Sequence, residues 1–155
     1  MEKIYFTKQG LKEIERERQI LLQLKKEKRD GKHPEILHSE EVNPEYLSYL
    51  EDADLLEVKL TDLEYIIKHA EIIKPPSKKD QNAIVLGARV FLESENDKNE
   101  FELVNTFEAD PIKGKISIES PLGKNLLGHR KGEEIILANN HKKYKIKKIS
   151  YHHLA

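Results

Sequence analysis

Between Pro44 and Ile73 the apolar residues fall on a single seam. Tyr46, Leu50, Ala53, Leu56, Leu60, Leu63, Ile67 and Ala70 alternate spacings of three and four residues almost without fault. A repeat of that period keeps one stripe turned toward a partner helix, so it predicts a long α-helix in a coiled coil. At about 1.5 Å per residue the helix would run roughly 45 Å, too long to lie within a small globule. Its start is encoded as well. Asn43 supplies a side-chain oxygen for the free amides of a first turn. Pro44 at the first helical position has no amide to satisfy, and Glu45 sits at the positive end of the helix dipole.

The partner precedes it. Tyr5-Phe6-Thr7 leads into a helix with Thr7 as N-cap, on which Leu11, Ile14, Leu21 and Leu24 form one stripe with Arg18 in the missing place. The opposite face is charged throughout (Lys12, Glu13, Glu15, Arg16, Glu17), which suits a coiled-coil partner better than a core. The helix should fade at Asp30-Gly31, and His33-Pro34 confirms a break, because a residue before proline is pushed out of the α region. Two antiparallel helices joined by a charged tip at about 30–43 are therefore expected over residues 1–74.

Lys74-Pro75-Pro76-Ser77-Lys78-Lys79-Asp80 then reads as a linker, spanning 75–82. From Ala83 the period changes to two and β-branched residues become frequent. Strands are predicted over Ala83–Leu92, Phe101–Val104, Lys115–Ile118, Glu133–Leu137 and Lys143–Ile149, with turns at Ser94–Asp97 and at Asn139-Asn140-His141, where Asn tolerates positive φ. One short helix interrupts them: Ser120 caps it, Pro121 is its first residue, Leu122, Leu126 and Leu127 point inward and Gly128 ends it. The lysines Lys142, Lys143, Lys145, Lys147 and Lys148 alternate with Tyr144 and Ile146 as the wet face of an edge strand. The fold class is α+β: a helical hairpin over 1–74 and a β-rich domain with one short helix over 83–155.

Charge and composition exclude several functions. With 27 Lys and Arg against 28 Asp and Glu, any affinity for nucleic acid must come from a local patch. The absence of cysteine removes disulfides and thiolate metal sites. No signal-peptide core and no apolar run near the ~20 residues of a membrane span are present, so a soluble cytoplasmic monomer without membrane contact is expected. His33 and His38 flank the tip without a metal-ligand spacing and read as surface histidines.

Two segments carry a family resemblance. Asn43-x-Glu45-Tyr46 at the start of the long helix resembles the hairpin of bacterial Gre-type (GreA/GreB) transcript cleavage factors. Ile118-Glu119-Ser120-Pro121-Leu122-Gly123-Lys124-Asn125-Leu126-Leu127-Gly128, followed by Lys131-Gly132-Glu133, resembles that family's C-terminal signature. Thr7-x-x-Gly10, Asp62-Leu63-Glu64, Ala70-Glu71-Ile72-Ile73 and Gly87-Ala88-Arg89-Val90 agree in the same order along nearly the whole chain. The resemblance implies an N-terminal coiled coil that enters the secondary channel of RNA polymerase, and an FKBP-like C-terminal domain that docks on the rim through Ser120, Pro121 and Leu122. It implies an accessory factor rather than an enzyme, acting on the RNA 3′ end inside the elongation complex. Mg²⁺ would belong to the polymerase active site, with none bound by the isolated protein.

The family's tip places an Asp and a Glu ahead of the Asn-x-Glu-Tyr segment, where they help hold Mg²⁺ and a water for RNA hydrolysis. Counting back from Asn43, those positions hold Ser39 and Val42, and the carboxylates present are Glu40 and Glu41, one residue inside each. Glu40 and Glu41 are the candidate metal-binding, catalytic pair; a solvated acidic face is the alternative. Lys25, Lys26, Lys28, Arg29 and Lys32 form the candidate RNA-contacting patch, against a plain soluble helix surface. A cleavage-stimulating elongation factor is the first expectation, and a non-cleaving channel regulator the second, because of Ser39 and Val42. A prolyl isomerase with a helical handle fits poorly, since only Phe91, Phe101, Phe107, Tyr144 and Tyr151 are available to line a proline pocket.

Overall fold

The computed structural model describes residues 2–31, 37–38 and 41–154, with 37–38 and 41–42 defined by their backbone alone. The chain is α+β and forms two compact units, Leu11–Ala70 with the extreme N-terminus, and Lys3–Gly10 with Glu71–Ala155.

The first unit holds most of helix α1 (Lys8–Asp30) and helix α2 (Pro44–His69), with strands β2 (Leu37–His38) and β3 (Glu41–Val42) between them. β2 and β3 pair antiparallel, His38 opposite Glu41 and Leu37 opposite Val42. The Asn43 side chain accepts from the Glu45 amide at 3.0 Å, the cap anticipated from sequence. Leu60, Leu63 and Ile66 are the buried residues of α2. Arg18 pairs with Glu64 at 3.5 Å beside this stretch; farther toward the tip no α2 residue is buried, and Lys25 meets Glu57 at 2.5 Å and Lys28 meets Asp52 at 3.8 Å.

The seam itself differs from expectation near its C-terminal end, where Ile66 rather than Ile67 is buried, and at two places nearer the tip. Tyr49 takes the inward position and Leu50 is 40% exposed. The reason lies across the seam, where Lys28 rather than an apolar residue stands: its ammonium lies 4.8 Å from the Tyr49 ring centroid, and the Tyr49 hydroxyl donates to the Lys28 carbonyl at 3.4 Å. An aromatic face suits a cation better than a leucine does. On α1, Leu24 likewise turns outward while Lys28 is partly buried.

The helix expected to reach Ile73 stops at His69, because Ala70–Ile72 form strand β4, paired with β1 (Ile4–Phe6). The Ile73 amide then donates to the Phe6 carbonyl at 2.8 Å. Ile4-Tyr5-Phe6 has strand character of its own, whereas Ala70-Glu71-Ile72 becomes a strand through the pairing with it. The unit boundary accordingly falls after Ala70, ahead of the prolines, and the segment 3–10 joins the C-terminal unit.

That second unit is built on five strands, β5 (Arg89–Glu93), β6 (Lys98–Val104), β7 (Lys115–Ser117), β8 (Glu134–Ile136) and β9 (Lys143–Ser150), in the order β7-β6-β5-β9-β8. All neighbours are antiparallel except β6 and β7. β5 is shorter than predicted. Ala83 makes only an isolated bridge to Arg130, and Gly87, at φ +93°, turns the chain so that its amide donates to Leu103 at 2.7 Å. β9 is not the edge: β8 lies outside it, although Lys143, Lys145 and Lys147 do face solvent while Tyr144 and Ile146 are buried. At the β8–β9 turn the positive φ falls on His141 (57°) rather than on an asparagine; Asn140 instead accepts from the Lys142 amide at 2.9 Å. Inward-facing Val90, Leu92, Leu103, Tyr144 and Ile146 form the core with Ile84, Tyr151 and helix α3 (Pro121–Leu126).

Candidate functional site

The serine-proline segment is a compact piece of local chemistry. The Ser120 hydroxyl accepts from the Gly123 amide at 3.0 Å and donates to the Ser117 carbonyl at 2.6 Å, so it ties the start of α3 to the end of β7. Pro121 occupies the first helical position, Leu126 is fully buried, and Gly128 follows the helix at φ +83°. Gly123 has a role the sequence did not reveal. A Cβ there would overlap the Ser117 carbonyl oxygen and lie 2.9 Å from Ile118 Cα, both backbone atoms that cannot step aside. Ser-Pro-Leu-Gly is thus cap, first residue, a half-buried leucine packed against the core and a backbone-to-backbone contact.

This packing leaves a cleft of 420 Å³ between α3, β7 and the loops at 109–111 and 138–139. Ala109, Pro111, Ile116, Pro121, Leu122 and Ala138 give it an almost wholly apolar lining. Of the three predicted docking residues, Ser120 spends its hydroxyl on the fold, whereas Pro121 is exposed and Leu122 half-buried at the cleft.

A second constellation was not anticipated. Glu108 is 8% exposed, beside the start of α1. The Thr7 amide donates to its Oε2 at 3.1 Å, the Thr7 hydroxyl donates to its Oε1, and Lys115 Nζ lies 3.8 Å away. The same Thr7 oxygen accepts from the Gly10 amide at 3.0 Å. A Cβ on Gly10 would coincide with the Glu108 carboxylate. Thr7-x-x-Gly10 is therefore a helix cap that also houses a carboxylate from far along the chain, favoured there by the positive end of the helix. Burial raises the Glu108 carboxyl above its ordinary value, outweighing the opposing Thr7 hydrogen bonds and the Lys115 charge. Asn105 fixes the loop that carries it, donating to the Tyr5 carbonyl at 2.6 Å and accepting from the Glu108 amide at 3.1 Å. Nothing in the sequence pairs Glu108 with Thr7, which lie 101 residues apart.

At the hairpin end the candidates are dispersed in role. Lys25 and Lys28 are engaged with α2 through Glu57, Asp52 and the Tyr49 ring, and Arg29 lies 3.3 Å from Asp30. Lys26 is exposed and forms no ion pair among the described residues. Tyr46 stacks on Tyr49 with centroids 6.4 Å apart, which joins the cap Asn43-Pro44-Glu45 to the seam. Lys32, His33, Ser39 and Glu40 lie outside the described residues, as do the side chains of His38, Glu41 and Val42. Among the described residues no group of three or more His, Asp or Glu is gathered to hold a metal, and no helix is long and apolar enough to cross a membrane.

Comparison with known proteins follows the same division. The family described as "Transcription elongation factor, GreA/GreB, C-term" matches residues 79–151. The transcription elongation factor GreA of Lachnoclostridium phytofermentans is 34% identical over 149 residues, covering 92% of each chain. GreA of Caldanaerobacter subterraneus subsp. tengcongensis is 33% identical over 135 residues, covering 85% of this chain and 86% of the relative. Among solved structures, GreA factor homolog 1 of Thermus thermophilus aligns over 96% of this chain and 99% of its own, at 23% identity and a TM-score of 0.43. The chain belongs to the GreA/GreB family of transcription elongation factors.

Proposed function

We propose that the chain binds RNA polymerase by inserting its hairpin into the secondary channel, and that it stimulates cleavage of backtracked RNA so that arrested complexes resume. The observation that carries this reading is the 149-residue match to a GreA factor, which runs through hairpin and C-terminal unit alike. Both working parts of such a factor are thus present in one chain. The apolar cleft beside Pro121 and Leu122 supports docking, since it offers a partner an apolar recess.

For the chemistry, the β2–β3 ladder and the Asn43 cap fix the backbone of Glu41 close to the start of α2. Glu40 and Glu41 are hard oxygen donors of the kind Mg²⁺ takes, and too few for a full shell, which fits an ion held chiefly by the polymerase. Mg²⁺ bound there supplies charge neutralisation for hydrolysis of the phosphodiester. This chain would contribute the carboxylates, with Lys26 and Lys32 approaching the RNA phosphates in a salt-sensitive manner.

A second reading, channel occupancy without cleavage, is favoured by Ser39 and Val42 at the positions of the family acids. One assay separates the two. A backtracked elongation complex of the cognate polymerase, carrying 3′-labelled RNA, is treated with the protein and with its Glu40→Ala/Glu41→Ala variant across Mg²⁺ concentrations. Accelerated release of short 3′ fragments by the wild type, lost in the variant, is the expected result. Binding with no acceleration would refute cleavage and leave the regulator.

A further inference from the structure

Helix α2 carries a second apolar stripe that its partner α1 does not cover. Leu47, Val58 and Tyr65 share one line of the helix, because their separations of 11 and 7 residues close on whole turns. That line lies opposite Tyr49, Leu56, Leu60 and Leu63, which face α1. All three are exposed, Val58 at 58%, and Leu55 (61%) widens the stripe on one flank. The charges divide by face in the same way. Asp52, Glu57 and Glu64, at the edges of the seam, each pair with a cation of α1. Glu51, Asp54 and Asp62 stand among the outward apolar residues and form no ion pair among the described residues.

We propose that this outward face of α2 binds a basic amphipathic α-helix of a partner protein, completing a three-helix coiled coil. Apolar residues that recur on one line of a helix, with carboxylates between them, suit the helix-in-groove mode of recognition. These three carboxylates, unpaired among the described residues, specify a partner with cations beside its apolar stripe, since burying them unopposed on association would be costly. They also argue against a second copy of α2 as occupant, because an isologous contact would set carboxylate against carboxylate. From Leu47 to Tyr65 the face is about 27 Å long, which asks for about five turns of partner helix. The proposal uses neither the tip nor the C-terminal cleft.

The test uses the full chain, isotope-labelled, and three synthetic peptides of about 21 residues. One carries leucine at the heptad positions flanked by lysine, one is the same composition scrambled, and one has glutamate for lysine. The lysine helix should bind, with amide shifts confined to the outward positions between Leu47 and Tyr65. Val58→Glu should weaken it by at least about tenfold while leaving thermal unfolding unchanged, since the residue is exposed. The triple variant Glu51→Lys/Asp54→Lys/Asp62→Lys should transfer preference to the glutamate peptide. Equal binding of the scrambled peptide, shifts elsewhere, or no binding would each overturn the proposal. So would self-association of the chain that Val58→Glu abolishes, which would make the stripe a contact between copies.

Discussion

Replacing Gly10 by alanine tests the carboxylate lock at the start of α1, because two effects of opposite sign compete there. Alanine is the better helix former, worth up to about 1 kcal/mol over glycine. Its methyl, however, would take the place of the Glu108 carboxylate. That carboxylate is the far end of a flexible side chain, so it can leave; what is lost is its pair of hydrogen bonds from the Thr7 amide and hydroxyl. At roughly 1.5–2 kcal/mol for each bond to a charged group, less the propensity gain of up to about 1 kcal/mol and the hydration that the released carboxylate recovers, Gly10→Ala should destabilise the C-terminal unit by at most about 2 kcal/mol, and by less as pH rises and the carboxyl ionises. In a Glu108→Ala background the methyl meets empty space, and the same substitution should become neutral or stabilising by up to about 1 kcal/mol. Urea unfolding followed through the ring resonances of Tyr144 and Tyr151, both buried in that unit, reads the four proteins of the cycle. An equal loss in both backgrounds would refute the reasoning, since the carboxylate would then not be what excludes the methyl.

Three further outcomes follow from the same geometry. Because burial raises the Glu108 carboxyl, the folded chain holds that proton more tightly than the unfolded one. Its contribution to stability is complete below the unfolded value near 4.5 and declines as pH rises through the higher folded value. Glu108→Gln should lack that decline when unfolding free energies are compared across pH, and an advantage of the wild type that grew with pH would contradict this. Leu60→Ala should cost the hairpin about 3 kcal/mol and Leu50→Ala less than about 0.5 kcal/mol, read by amide exchange along α2, as the first side chain is 3% exposed and the second 40%. Gly123→Ala should cost at least about 3 kcal/mol, because α3 must lift from the Ser117 carbonyl and deform the cleft, and under the proposed docking it should also weaken binding to polymerase; unchanged stability would show that the contact yields easily.

Local sequence logic reached far in this chain. Asn43-Pro44-Glu45 and Ser120-Pro121 spell helix starts in their own side chains, and both caps form as read. The alternation Lys143-Tyr144-Lys145-Ile146 gives one buried and one wet face, whatever strand lies alongside. The GreA/GreB signature is of this local kind, which is why it could be recognised without coordinates. With Tyr49 in place of Leu50 the spacings alternate three and four without a fault, so the period already favoured the aromatic, and Lys28 across the seam supplies its cation partner. Pattern failed where a residue's state depends on what lies opposite. Ala70–Ile72 continue a helical period but pair with Ile4–Phe6, whose position the sequence does not supply.

By itself, then, the sequence determined the two modules, their helix caps, their alternating strands and the family, since each follows from contacts within a few residues. The tertiary structure alone decided the lock between Thr7, Gly10 and Glu108, the glycine contact under α3, the cleft beside Pro121, and the division of α2 into a paired and an unpaired face. Those features join segments up to 101 residues apart, and no local periodicity carries information about which distant side chain will fill a given space.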